Sequence, residues 1–481
     1  MANWALETAR LRGATYADAR VMEIRQRDLT TKGGKVGACL ESETLGIGIR
    51  AIVQGAWGFA STDRLTREGV QACAASAVAI AKASALTRIK DVALAPEAAH
   101  VDSWQNPYLK DPFRIPVEKQ LALLMAADDE MRKVKGVTLT ETSMTFRRID
   151  QFFASTMGSA IHQVKMQSGG GIVATSYAEN EIQKRSYPNS FGGQHMLAGY
   201  ELIESFDLAG NARRVAEEAV ALHSAAQCPE GERTLLLDGS QLGLQIHESV
   251  GHPIELDRVL GMEANMAGTS FLTLDKLNNL RYGTEIVNVV ADARLAHGSG
   301  LGTFGYDDEG VPAQCIPIIT AGQFTGYLSD RETAVLLGLS RSGGTSRTEC
   351  WNRLPMIRMT NISLLPGAGK PEDLVSDTDD GIWMETNRSW SIDDKRYNFQ
   401  FSTEIAWEIK NGKRGRMLKN PSYSGITTEF WNSCDAICGP EHWTLWGTPN
   451  CGKGQPMQTM GTGHGAAPAR FRKVKIGAAF S

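Results

Sequence analysis

His247-Glu248-Ser249-Val250-Gly251-His252 places two imidazoles and a carboxylate within six residues, in a chain with nine histidines among 481 residues. Two neutral imidazoles on one helix hold a metal ion, and a glutamate beside the first is placed to take a proton from a metal-activated water. The usual spacing, H-E-x-x-H, sets the two rings only ~40° apart at about 100° per residue. Here one residue is added, so a regular helix would separate the rings by roughly 140°, too far to share one ion. The helix must therefore loosen or end between them. Gly251 gives freedom for a bulge, and Pro253 disfavours regular helix at His252 and removes a backbone donor.

A zinc site needs a third protein ligand and, for catalysis, one open position. Cys451 lies in the glycine- and proline-rich run Gly447-Thr448-Pro449-Asn450-Cys451-Gly452-Lys453, where a rigid turn would present a thiolate. Cys434 and Cys438, spaced by four on an expected helix over 427–438, are rivals, although their neighbours Phe430, Trp431 and Ile437 favour a core role. His464, in Gly461-Thr462-Gly463-His464-Gly465, is a reserve ligand or transition-state donor. The remaining histidines show no paired spacing.

Further segments carry a resemblance: Gly48-Ile49-Arg50 through Gly55-Ala56-Trp57-Gly58-Phe59-Ala60-Ser61, Asp307-Asp308-Glu309-Gly310-Val311-Pro312, Gly326-Tyr327-Leu328-Ser329-Asp330-Arg331, Leu354-Pro355-Met356-Ile357-Arg358-Met359-Thr360-Asn361, and Cys451-Gly452-Lys453. With the histidine motif and in this order, they make the chain resemble the TldD/PmbA family, specifically its metal-binding TldD branch. The resemblance implies that His247, His252 and Cys451 bind zinc (Zn2+) and that Glu248 is the catalytic carboxylate. It also implies a metallopeptidase acting on unfolded peptides, paired as a heterodimer with a non-catalytic PmbA/TldE-type subunit or as a homodimer. Between Met384 and Arg396 the sequence departs from the family, with Trp390 and two aspartates where a glycine-rich stretch is common.

Composition fits a cytoplasmic enzyme of two domains. With 42% hydrophobic and 22% charged residues, 481 residues suffice for more than one core. A formal charge of -4 gives no electrostatic reason to bind nucleic acid or an anionic membrane. The first residues lack a basic and an apolar signal region, and no apolar run approaches membrane-spanning length. Eight scattered cysteines do not form a disulfide framework, and a ligand thiolate suits a reducing compartment.

The expected architecture is α+β, divided at Cys228-Pro229-Glu230-Gly231. Residues 1–228 should form a mixed α/β domain with helices packed on a sheet. Residues 229–481 should form a mainly antiparallel β domain carrying the zinc-binding helix. In the first part, strands are expected over 19–28 and 45–62 with a turn at Gln54-Gly55, and a helix after Thr66 presenting Val70, Cys73, Ala77 and Ala81. A long connection over 86–116, a helix from Pro116 to Lys133, Thr- and Val-rich strands to about 186, and a helix over 211–226 follow. In the second part, Ser240 is the expected N-cap of a helix from Gln241 to Gly251, and strands are expected near 285–292, 314–328, 356–364 and 399–410. Gly300-Leu301-Gly302-Thr303-Phe304-Gly305 fits G-x-G-x-x-G, but the acidic Tyr306-Asp307-Asp308-Glu309 that follows would repel phosphate, so no nucleotide site is expected. The acidic run itself reads as a solvated or hydrogen-bonded turn, with a supporting role at the active-site wall left open.

Overall fold

The computed structural model describes residues 1–478 and has an α+β architecture built on three main sheets. The first has eight strands. Its path runs Ala56–Thr62, Lys35–Val53, Tyr16–Lys32, Val137–Ser155, Ala160–Ala178 and Val101–Gln105, with Glu181–Tyr187 and Gln194–Met196 also paired to Ala160–Ala178. Gln54 and Gly55 turn with φ of 51° and 72°, which seats the expected hairpin between Lys35–Val53 and Ala56–Thr62. Thr66 caps helix Arg67–Ser84 by accepting from Gly69 N, and Val70, Cys73, Ala77 and Ala81 are buried as their spacing requires. Helix Val117–Arg132 and helix Leu208–Ala221 pack on the same sheet through Leu124, Met131, Val215 and Ala219 against Met144 and Phe146. The expected helix over 211–226 is displaced: Asp207 caps it three residues earlier by accepting from Gly210 N, and it gives way to a tighter turn at Leu222–Ser224. The long connection over 86–116 contains a strand, Val101–Gln105, added in parallel to Ala160–Ala178.

In the second eight-stranded sheet the path is Asp380–Ile392, Gly231–Leu237, Ala469–Ala478, Pro421–Ile426, Asn398–Lys410, Lys413–Lys419 and Ala226–Gln227. Asp380–Ile392 also pairs with Asn398–Lys410, so five strands close on themselves. The third sheet runs Gln323–Phe324, Cys315–Thr320, Val289–Asp292, Asn361–Leu364, Gln458–Ala466 and Thr444–Lys453. Most pairings in both are antiparallel; Gly231–Leu237 with Asp380–Ile392, Lys413–Lys419 with Ala226–Gln227, and Asn361–Leu364 with Gln458–Ala466 are parallel. The helix expected over 427–438 is Thr427–Asn432 only, and Cys434–Ile437 is instead a strand beside Ala469–Ala478. Cys434 and Cys438 thus leave the common helical face that a metal pair would need.

Helix Gly239–Ile246 touches both of these sheets and every one of its residues is buried. Leu242 and Ile246, with Val250 and Ile254 beyond, enter the core that contains Trp431 and Phe471. Each such side chain contributes roughly 1.5–3 kcal/mol by leaving water. A helix clamped this way fixes the direction in which the histidine motif leaves it. Among the described residues no helix is long and apolar enough to cross a membrane.

Candidate metal centre

Asp238, two residues before the expected cap, starts the motif helix by accepting from Ser240 N and Gln241 N. The aspartate outcompetes Ser240 because both its oxygens are engaged, one of them also by Ser240 Oγ at 2.7 Å. The α-helix ends at Ile246, and His247–Gly251 forms one π-turn in which His252 N donates to His247 O at 3.1 Å. An i to i+5 turn winds less per residue than an α-turn, so it absorbs the added residue and returns His252 to the side of His247. The ring centroids lie 4.8 Å apart. Gly251 has a negative φ, so its role is space: a Cβ there would collide with Sδ of Met359. The carbonyl of Ser249, loosened by the turn, accepts from the buried Tyr282 hydroxyl, and Ser249 Oγ accepts from Trp431 Nε1 at 3.0 Å.

Cys451 reaches the histidines from strand Thr444–Lys453, its Sγ 3.8 Å from His252 Nε2. One ligand atom from each of His247, His252 and Cys451 lies within 4.8 Å of the others, and all three residues are buried. The strand is clasped to the motif: Lys453 Nζ donates to Asp257 Oδ1 and to the Ile357 carbonyl, both at 2.7 Å, and lies 3.4 Å from Glu255 Oε1. Arg358 donates to the carbonyls of Cys451 and Gln458.

Hydrogen bonds fix which ring nitrogens face the cluster. Nδ1 of His464 stands 3.3 Å from the Ile362 carbonyl, and Nε2 of His464 stands 2.7 Å from Nδ1 of His247. A carbonyl only accepts, so His464 donates from Nδ1 and accepts at Nε2, and His247 must donate from Nδ1, leaving its Nε2 lone pair free. Nδ1 of His252 similarly faces Glu255 Oε2 at 3.0 Å, leaving Nε2 toward Cys451. Burial lowers His247, and more strongly His252 and His464, below the usual imidazole value, so all three are neutral near pH 7. For Cys451, burial opposes ionisation, but the ability of the His252 ring to take up the thiol's proton and the charge of Arg358 outweigh it and hold the thiol below its ordinary value. Cys434 and Cys438 behave oppositely, the latter pushed up to about 12 by burial. Glu248 pairs with Arg396, Oε2 to Nη1 at 2.8 Å.

His247, His252 and Cys451 therefore come together, Glu248 follows His247 in the π-turn with its carboxylate on Arg396, and His464 supports His247 from outside the cluster. Sequence reasoning missed Glu255, Lys453, Arg358 and Arg396. Glu255 alone had a local signal, a carboxylate three residues after a histidine. Of the two readings of the acidic run 307–309, the hydrogen-bonded turn holds and the solvated one does not: Glu309 pairs with Arg50 at 3.1 Å, Asp308 accepts from Gln151 and Thr348, and Asp307 accepts from Val311 N and Ser346 N. These bonds join the turn to the first sheet. Residues 300–305 open no α-helix, and Gly302 packs against the backbone of Thr360.

The chain is 29% identical over 462 residues to a metalloprotease of Methanothermobacter thermautotrophicus, covering 96% of this chain and 95% of that protein. Its fold matches TldE from Thermococcus kodakarensis with a TM-score of 0.73 at 15% identity, covering 98% of both chains. A Thermotoga maritima protein described as a candidate modulator of a DNA gyrase matches with a TM-score of 0.78 at 16% identity, again over 98% of both. The family model for the PmbA/TldA metallopeptidase C-terminal domain matches residues 230–477, and that for domain 1 of the same metallopeptidases matches residues 17–81. With more than half of its length matched, the chain belongs to the PmbA/TldD metallopeptidase family.

Proposed function

We propose that this protein is a zinc-dependent peptidase that cuts unfolded or extended peptides, with His247, His252 and Cys451 as metal ligands and Glu248 as the catalytic carboxylate. The observation that carries the reading is the convergence of two imidazole Nε2 atoms and one Sγ beside a glutamate. Ligand atoms around a tetrahedral zinc, at bond lengths of ~2.0–2.3 Å, stand about 3.3–3.8 Å apart. The present set lies within 4.8 Å, with the His252 to Cys451 distance already 3.8 Å, so a small contraction fits the ion. Three protein ligands leave the fourth position open, as a catalytic site requires. The Nδ1 partners, His464 and Glu255, match the outer-shell support that ligating histidines use.

When bound, the metal supplies Lewis acidity to the scissile carbonyl and to the attacking water. Glu248 takes a proton from that water as its oxygen bonds to the carbonyl carbon, then delivers a proton to the amine as the C–N bond breaks. Arg396 holds the carboxylate in place before substrate arrives.

The same reading assigns residues 1–228 and 229–481 to two domains and a TldE-type subunit or a second copy as partner. The likeness of fold to TldE supports a pairing of similar subunits. All eight cysteines are unpaired, which suits the cytoplasm.

The test is Glu248→Gln. It is expected to retain zinc by elemental analysis while cleavage of an unfolded peptide falls about 10²–10⁴-fold. Undiminished turnover would sink the assignment of Glu248. Retained zinc with a closed four-ligand environment would turn the site into a structural one and the chain into a chaperone-like binding subunit. Turnover of a non-peptide amide alone would make it a different zinc hydrolase.

A further inference from the structure

Arg396 lies in the turn between strands Asp380–Ile392 and Asn398–Lys410 with φ of 65°. Its backbone is anchored: its N donates to the Asp393 carbonyl at 2.9 Å, its carbonyl accepts from Thr427 Oγ1 at 2.9 Å, and the carbonyl of Lys395 accepts from Phe271 N at 2.9 Å. From this rigid turn the side chain reaches Glu248 with Nη1, while its buried Nε finds no acceptor among the described residues. Arg258 approaches from Leu256–Val259, directly after the histidine motif, and is fully buried. Its Nη1 donates to the carbonyls of Ala267 and Thr269, but Nε and Nη2 have no acceptor.

The nearby carboxylates do not satisfy this pair. Glu248 engages one nitrogen of Arg396. Glu255 is shared between His252 at 3.0 Å and Lys453 at 3.4 Å, and Arg258 Nε at 3.8 Å is beyond hydrogen-bond reach. Burial depresses the Arg258 guanidinium, Glu255 offsets part of this, and the charge of Arg396 depresses it again. Two cations thus stand beside the cluster with three buried donor nitrogens that have no hydrogen-bond acceptor among the described residues, one of them, Arg258 Nε, in a long ion pair with Glu255. Buried donors are normally matched, and a guanidinium's planar fork matches the two oxygens of a carboxylate.

We propose that Arg258 and Arg396 form a carboxylate subsite beside Glu248 that takes the free C-terminal carboxylate of a peptide and directs cutting to its C-terminal end. The cutting rests on the peptidase reading; the binding does not. Glu248 and the substrate carboxylate share Arg396, so engaging substrate adds an anion to a site with donors to spare. The same contact sets the distance between the peptide terminus and the scissile bond. Peptides lacking a free terminus are then poor ligands whatever their sequence.

The experiment uses the full chain freed of metal by chelation and a fluorescent decapeptide of neutral residues in three forms: free acid, C-terminal amide, and amide with internal glutamates. Binding is read by fluorescence anisotropy. The free acid is expected to bind about ten-fold more tightly than the amide, the worth of one charge-assisted contact. Arg396→Gln should abolish that preference and Arg396→Lys should keep part of it. Arg258→Gln should also lower it, and the Arg396 variants carry the test if the Arg258 variant does not fold. Equal binding of acid and amide overturns the proposal. Tight binding of the glutamate-containing amide overturns the terminal assignment. Loss of turnover in Arg396→Gln on acid and amide alike, with an unchanged binding ratio, would make Arg396 an oxyanion donor and also overturns it. A preference without cleavage by the zinc-loaded protein leaves the subsite standing and removes the peptidase reading; cleavage without preference does the reverse.

Discussion

His464 contributes no atom to the cluster, yet the proton on its Nδ1, held by the Ile362 carbonyl, decides which nitrogen of His247 is free. Removing it by His464→Ala leaves Nδ1 of His247 only the longer contact to the Thr462 hydroxyl, at 3.4 Å, and the ring freer to turn. Zinc affinity, measured by competition with a chelator, is expected to fall about 10–100-fold, the usual effect of losing an outer-shell partner. An unchanged affinity would mean that helix packing alone orients the ring. Much of the site at this scale was legible. His247, Glu248 and His252 declare themselves by type and spacing, and the one-residue misfit itself asked for a bulge. Cys451 was one of several open choices until the family resemblance singled it out, because nothing local relates it to a motif 199 residues earlier. Arg396 was invisible for the same reason: its partner is 148 residues away, and only the oddity of its loop marked it.

Local elements followed local chemistry where one signal dominated. The Gln54-Gly55 hairpin and the Thr66 cap stand where the residues put them, because positive φ and a side-chain acceptor are decided within four residues. The helix over 427–438 failed because strand Ala469–Ala478 recruits Cys434–Ile437 into a sheet, a tertiary pairing that overrides helical spacing. The π-turn lies between these cases, with Pro253 predisposing it and the packing of Met359 against Gly251 completing it. Gly251→Ala therefore overpacks the turn. Its denaturant midpoint should show a loss of about 1–3 kcal/mol, and Gly251→Ala with Met359→Ala should recover part of that loss. Full stability in the single variant would mean that the turn has room this geometry does not show.

Across the whole molecule, the first sheet meets the rest through buried charge: Asp18 and Glu309 share Arg50, and Asp330, the cap of helix Arg331–Leu336, lies within the field of Glu309. Burial, then Glu309, raises the Asp330 carboxyl to about 7. Above pH 4 the unfolded chain releases a proton that the folded chain keeps, so the stability this group contributes is complete below its unfolded pKa and is lost as pH rises toward 7. Asn caps nearly as well as Asp and does not titrate. Asp330→Asn is thus expected to match the parent near pH 4 and to exceed its thermal midpoint at pH 8, and parallel curves across that range would refute the assignment. This interface was not legible in the sequence, where Asp307-Asp308-Glu309 read as a solvated or hydrogen-bonded turn with no partner named, because its partners Arg50 and Gln151 come from another sheet.

The separation of His252 from Cys451 also bears on how such an enzyme matures. The two residues are 199 positions apart in the chain, so the imidazole and the thiol meet only when the fold offsets the entropic cost of closing that loop. On the proposed function, a catalyst that consumes unfolded chains is therefore harmless to itself: while its own chain is nascent or misfolded, the two halves of its active site are strangers, and only a finished molecule is armed.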